Sequence, residues 1–243
     1  MVSKGQIKLV KSLEMKKSRR REGLFVAEGP KVVGDLLRAG FTPHSIFSTV
    51  EREGAQLVTE EELRRLSFLQ HPQEVLAIFH LPAATDKQNP DSEHHTSLAL
   101  ALDGVQDPGN VGTIIRIADW FGISTVYCSP DTADAYAPKV VQATMGSLAH
   151  VRIIYCDLVE LLSKANCPIY GTLLDGQDIY KQKLSNEGII VMGNEGNGIS
   201  ESVRKLITNP LLIPNFNAKD ETAESLNVAI ATAITCSEFR RRS

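Results

Sequence analysis

Hydrophobic positions along this chain keep switching between two periods. Over the first eighty residues the spacing predicts helices at 4–13, 30–39 and 59–67, and strands at 24–27 ("LFVA"), 44–48 and 75–80 ("VLAIFH"). Thr59 opens the third helix with Glu62 three residues on, the spacing of a capping box. A polar stretch without period follows, "LPAATDKQNPDSEHHTS", which holds two prolines and reads as a linker. The adjacent His94 and His95 within it are read as solvated linker residues. Beyond it the alternation strengthens. "SLALALDGV" is almost continuously apolar, the mark of a strand buried on both faces. "NVGTIIRIADWFG" sets Val111, Ile114, Ile115, Ala118 and Phe121 at helical spacing, and Gly122 stops the helix. Strands at 125–129, 151–155, 169–174, 188–193 and 211–214 alternate with helices at 138–146, 157–165, 200–207 and 225–241. The expected organisation is a small α/β domain over 1–80, a linker over 81–96, and a larger α/β domain over 97–243. Its strand–helix alternation predicts a mostly parallel sheet flanked by helices.

Ligands of such sheets bind beyond the carboxyl ends of the strands. Asp107 to Asn110, Gly193 to Gly198 and Pro214 to Ser225 all follow strands. The stretch "IIVMGNEGNGIS" is the most unusual of these, with three glycines in six positions and Glu195 among them. Its order is G-x-x-G-x-G, neither the dinucleotide G-x-G-x-x-G nor the P-loop G-x-x-x-x-G-K-[ST]. An acid inside a phosphate cradle repels the ligand, so the loop is suited to something other than a phosphate. A nucleotide-dependent dehydrogenase is disfavoured on the same ground.

Composition changes little: 42% hydrophobic and 23% charged residues in a chain of 243 are ordinary for a globular protein. Without an 18-residue apolar run no membrane span is expected, and "MVSKGQIKLVKS" has no signal-like apolar region. Cys128, Cys156, Cys167 and Cys236 match no metal spacing and read as buried thiols of a reducing cytoplasm; no metal is expected. Net charge is −3, but its distribution is uneven. Residues 1–31 hold nine Lys or Arg against three acids, with Lys16, Lys17, Arg19, Arg20 and Arg21 at the centre. Such a patch marks either an RNA-binding surface or a solvated helix face. The closing run Arg240–Arg242 suits the last turn of a helix.

Three segments carry a resemblance. "DPGNVGTIIRIADWFG", "VMGNEGNGIS" and "LIPN…AESLNVAIATAI" resemble the three motifs of the SpoU (TrmH-like) RNA ribose 2′-O-methyltransferases of the SPOUT superfamily, in the same order. "KSRRREGLFVAEGPKVV" resembles their accessory RNA-binding domain of the ribosomal L30e type. The resemblance implies a C-terminal trefoil knot, a homodimer, S-adenosylmethionine as donor, and rRNA or tRNA as substrate. It implies donor contacts from Gly193, Ile213 and Leu226, with Thr172 and Leu173 beside the adenine, and Gly196 and Gly198 either in contact or forming a tight turn. It implies Arg116 as the catalytic arginine, gripping a substrate phosphate and stabilising the developing alkoxide. Asn110 orients Arg116 or the ribose, or caps its helix. Glu195 fixes Arg116 or Asn227, while Ser225 and Asn227 begin the last helix, with Ser225 as its cap or a substrate contact. Trp120 is read as core or dimer packing.

One departure stands out. "IPNFNAKDETAESLN" is four residues longer than the family's third motif, with Glu221 where a glycine is usual. The insertion either bulges outward or changes donor affinity. A catalytically inactive RNA-binding relative is the alternative, and the joint presence of Asn110, Arg116, Glu195, Ser225 and Asn227 favours the enzyme.

Overall fold

The computed structural model describes residues 1–82, 97–217 and 225–241. His94, His95 and Glu221 lie outside the described residues. By compactness the chain forms two units: Met1–Asp86 together with Asp134–His150, and Lys87–Ala133 together with Val151–Ser243.

The first unit opens with α1 (Lys4–Ser12), α2 (Lys16–Glu22), β1 (Leu24–Glu28), α3 (Pro30–Arg38), β2 (Pro43–Ser48), β3 (Gln56–Leu57), α4 (Glu60–Leu66) and β4 (Val75–His80). Its sheet runs β1-β4-β2-β3; β1 and β2 flank β4 antiparallel, and β3 pairs parallel with β2. The capping box at Thr59 forms in both directions. A second one, between Ser3 and Gln6, opens α1. The helix α2 escaped the hydrophobic pattern because "KKSRRRE" has no apolar stripe; Gly23, at φ 66°, ends it.

The second unit holds β5 (Leu98–Asp103), α5 (Pro108–Trp120) and β6 (Thr125–Cys128). Next comes α6 (Pro138–Thr144), which belongs with the first unit, and then β7 (Arg152–Tyr155) and α7 (Leu158–Ser163). The chain ends with β8 (Ile169–Asp178), β9 (Gly188–Gly193), α8 (Glu201–Arg204), β10 (Asn209–Leu212) and α9 (Val228–Arg241). All six strands are parallel, in the order β10-β8-β9-β5-β6-β7. The apolar runs read as strands are buried: Ala99 to Leu102 and Ile189 to Met192 form the centre. The chain leaves β5 toward β6 on one side and later fills the other side with β9. That reversal of direction opens a crevice past the ends of β5 and β9, whose last residues Asp103 and Gly193 stand opposite each other.

Segment 134–150 was expected within the second domain and is found in the first unit. Its side chains explain why. Ala135, Val140, Val141, Thr144 and Leu148 are buried, α6 packs on β1, and Tyr136 lies 5.1 Å from the Phe25 ring. Met145 and Gly146 turn with φ 53° and 100°, and Lys31 Nζ donates to Met145 O at 2.5 Å. At φ 100° any side chain at Gly146 would be strained, and a Cβ there would also press on the Asp35 side chain, so glycine suits the position.

The pattern misplaced several boundaries: β8 runs to Asp178 rather than 174, and α6 and α7 are shorter than expected. The strand expected at 211–214 is Asn209–Leu212, the helix expected over 200–207 is Glu201–Arg204, and α9 starts at Val228 rather than 225.

Candidate active site

The crevice is built from strand ends. After β5 the chain turns at Gly104 and enters α5. The cap of α5 is Asp107, whose Oδ1 accepts from Asn110 N at 2.8 Å. Asn110 is therefore not the cap, and its side chain is left free to reach outward. It donates from Nδ2 to Glu195 Oε1 at 2.8 Å and accepts at Oδ1 from Asn227 Nδ2 at 2.9 Å. Asn227 in turn accepts at Oδ1 from Ala229 N at 3.0 Å and Ile230 N at 3.2 Å. It is Asn227, not Ser225, that caps α9. Ser225 is exposed just beyond the undescribed residues 218–224.

Each amide in this chain of bonds has a single orientation open to it. Backbone N–H groups can only donate, so Asn227 must face α9 with its oxygen. Glu195 accepts, so Asn110 must face it with nitrogen. The result is a directed relay from the N-terminus of α9 to a carboxylate, and polarised bonds in series reinforce one another. Glu195 is tied by Asn110 rather than by Arg116 or Asn227. Its Oε2 has no partner among the described residues and faces outward on an exposed loop.

Arg116 is exposed and makes no hydrogen bond or ion pair among the described residues, so it forms none with Asp119. Six residues separate it from Asn110, which places the two about 120° apart around α5. The structure brings Asn110, Glu195 and Asn227 together and leaves Arg116 outside that network. Its guanidinium is open to an anion. One turn on from Arg116, Trp120 is 86% exposed and is no core residue.

Of the residues expected at the donor, Gly193 ends β9, and a Cβ there would collide with the backbone of Gly198 and Ile199. The loop's own fold thus requires this glycine. Gly196 differs: a Cβ would meet nothing closer than Asn194 Oδ1 at 3.5 Å. The chain has no need of glycine at that position, and the loop leaves space beside it. Thr172 Oγ1 approaches Met192 Sδ at 3.7 Å, and Leu173 packs on the cluster that includes Ile199. Both sit where β8 loses its register with β10, between Gly171 and Gln177. Ile213 is half-buried after β10, and Leu226 is 49% exposed.

In the basic patch, one residue must be withdrawn. Arg19 is 2% exposed; its guanidinium donates to Leu13 O (2.8 Å), Glu14 O (2.7 Å) and Asp134 Oδ2 (2.5 and 3.2 Å). It is a staple inside the first unit and cannot meet a phosphate. Lys17, Arg20 and Arg21 are exposed and Lys16 half-buried. Arg240 also differs from expectation: it donates to Phe121 O at 2.8 Å and Gly122 O at 3.2 Å, closing the end of α5. Among the described residues no group of three or more His, Cys, Asp or Glu is placed to hold a metal, and no helix is long and apolar enough to cross a membrane. Sequence reasoning missed Asp103, Asp107 and Asn194. The signal for the last was present, since Asn two residues before Gly is a common local turn former.

Residues 97–237 match the SpoU rRNA Methylase family, and residues 4–77 match the MRM3-like substrate binding domain. The chain is 30% identical to the 23S rRNA (guanosine(2553)-2′-O)-methyltransferase RlmP of Bacillus subtilis, over 97% of this chain and 96% of that one. A solved RNA methyltransferase of the TrmH family from Porphyromonas gingivalis superposes with a TM-score of 0.88 at 43% identity, covering 100% of both chains. An AdoMet-bound rRNA methyltransferase from Sinorhizobium meliloti superposes with a TM-score of 0.87 at 30% identity, over 100% of this chain and 96% of that one. The two matched families, the relatives and the carboxyl-end site agree: this chain belongs to the SpoU rRNA methylase family and is an RNA 2′-O-methyltransferase.

Proposed function

We propose that the chain methylates a ribose 2′-hydroxyl of 23S ribosomal RNA at the crevice past β5 and β9, with S-adenosylmethionine as donor. The observation that carries this reading is the convergence of Asn110, Glu195 and Asn227 from three separate segments onto one hydrogen-bonded relay. The relatives that span nearly the whole chain support the RNA. Gly196, a glycine without cause in the chain, leaves the exposed side of the loop open to a ligand, which supports a donor there. The carboxylate of Glu195 suits a cationic ligand and not a phosphate.

The donor supplies an electrophilic methyl group on a sulfonium. Everything else falls to the protein. Gly193, Ile213 and Leu226 offer main-chain contacts, and Thr172 and Leu173 line the side toward β8. A 2′-hydroxyl is a very weak acid, so the site must hold it in line and stabilise the charge that develops as its proton leaves. In this reading Glu195 Oε2 and Ser225 orient the ribose. Arg116, open to solvent, grips the neighbouring phosphate and offsets the alkoxide charge; its own basicity makes it unsuited to take the proton.

In this reading the first unit docks RNA through Lys16, Lys17, Arg20 and Arg21. The enzyme works as a homodimer in the cytoplasm, paired through the face that holds Trp120 and the 53% exposed Ile230. The trefoil knot belongs to the same reading. Its described support is the path from β9, out to β10 at the sheet edge, and back to α9 packed on β9.

The test is transfer of a labelled methyl group to protein-free and ribosome-bound 23S rRNA, with the product mapped for 2′-O-methylation. A modified ribose that disappears in a strain lacking the protein and returns with it is the expected result. Methylation on a base, or on tRNA alone, overturns the assignment.

A further inference from the structure

The residue that aims Glu195 is its neighbour Asn194. The Asn194 side chain makes three hydrogen bonds at once. Its Nδ2 donates to Gly104 O at 2.7 Å, and its Oδ1 accepts from Gly196 N at 2.9 Å and Asn197 N at 3.0 Å. Its backbone exchanges both hydrogen bonds with Gly198 at 2.9 Å. Three of the four hydrogen-bonding positions of the amide are used, all on this loop and its support. The support is itself fixed. Gly104 N donates to Ser129 Oγ at 2.9 Å, Ser129 meets Thr132 Oγ1 at 3.1 Å, and Thr132 donates to Leu102 O at 2.9 Å. Ser129 and Thr132 are buried, so this anchor is shielded from water.

A second tie closes the far end of the loop, where Ser200 N donates to Asp103 Oδ2 at 2.7 Å. Ile199 is buried beside it, while Glu195 to Gly198 are exposed. Three glycines in six positions give this segment no intrinsic reason to hold one shape. The two ties supply it, and both end on the consecutive residues Asp103 and Gly104. Asn110 hangs from the same strand end through the turn into α5. Both partners of the Glu195–Asn110 bond are thus referenced to one point.

We infer that Asn194 is a positioning residue for methyl transfer, acting through Glu195 by holding its carboxylate against Asn110. This rests on the reading of Glu195 and Asn110 as part of the reacting site.

The experiment is a double-mutant cycle on single-turnover methyl transfer at saturating S-adenosylmethionine, with Asn194→Ala, Glu195→Ala and the double variant. Donor affinity is followed by calorimetry. Asn194→Ala is expected to slow transfer on the order of tenfold, the scale of losing one ordinary hydrogen bond. The double variant is expected to be no slower than Glu195→Ala alone, because a residue acting only through Glu195 has nothing left to position. The side-chain amide resonance of Asn110 is expected to shift in Asn194→Ala toward its position in Glu195→Ala, a change that lost stability alone does not produce. Additive losses, or an unmoved Asn110 resonance, overturn the inference while leaving the site reading intact. A Glu195→Ala variant at the wild-type rate sinks the site reading and the inference with it. If Asn194→Ala does not fold, Asn194→Ser carries the same cycle, since its hydroxyl keeps one acceptor for the loop N–H groups and cannot also hold Gly104.

Discussion

Asn227 Nδ2 donates to Asn110 Oδ1 across 2.9 Å, joining the first turn of α9 to the first turn of α5 over 117 positions of sequence. The bond gives Asn110 a fixed direction and leaves its nitrogen for Glu195. Replacing Asn110 by Asp exchanges that donor for a second carboxylate facing Glu195. Methyl transfer is expected to fall at least roughly tenfold at neutral pH, as for a lost charge-assisted hydrogen bond. Single-turnover rates at neutral pH check this, and an Asn110→Asp variant at the wild-type rate contradicts it.

Arg116→Ala removes a cation with no structural partner among the described residues. The transfer rate is expected to drop about 10²-fold, the scale for losing one group that stabilises developing charge. Thermal stability and donor affinity are expected to stay near wild type, because the side chain holds nothing in the fold. A rate near wild type would falsify the role of this motif in catalysis.

How much of this was legible in the sequence follows from what each signal measures. Apolar runs located β5, β6 and β9 because those strands are buried on both faces. The motif residues were found, but their hydrogen bonds were not. Asn110 stood as a candidate cap because nothing local distinguishes it from Asp107, three residues earlier. Arg19 was counted among the basic surface residues because a run of cations looks alike whether a side chain faces water or a buried carboxylate. Its partner Asp134 lies 115 residues away. Only the fold could place it.

The basic patch therefore divides into two kinds of residue. Replacing Lys16, Lys17, Arg20 and Arg21 by Ala is expected to weaken RNA binding. The salt dependence should flatten by roughly 0.7 in log–log slope for each phosphate of a single strand that is no longer neutralised. Arg19→Ala is expected instead to leave the salt slope unchanged and to destabilise the first unit by about 3 kcal/mol, since Asp134 and two carbonyls lose their partner. Filter binding over a salt series and urea unfolding separate the two effects.

Burial pushes the Cys236 thiol from its ordinary 9.0 up to about 12, with Arg240 opposing weakly. A raised folded value favours the protonated form, so the unfolded chain ionises first as pH rises. The stabilisation is complete below pH 9 and is lost toward pH 12. Between pH 9 and 10.5 the loss should be on the order of 2 kcal/mol. Urea midpoints at the two pH values are expected to fall further for wild type than for Cys236→Ala. Alkylation of Cys236 in the native protein should be slow throughout.

The first unit takes Asp134–His150 from a later part of the chain. Synthesis runs from the N-terminus, so residues 1–82 emerge with Phe25 and Arg19 still lacking Tyr136 and Asp134 as partners. About 70 further residues must be made before Leu148 can fill its place, a wait on the order of 3–14 s at about 5–20 residues per second. During that time β5, α5 and β6 of the other unit are already outside the ribosome. The first unit is thus completed only after part of the second has been made, so the two do not form in simple succession. The first unit cannot close before the first strands of the methyltransferase sheet exist, so a nascent chain of 82 residues holds its sheet without the segment that covers it.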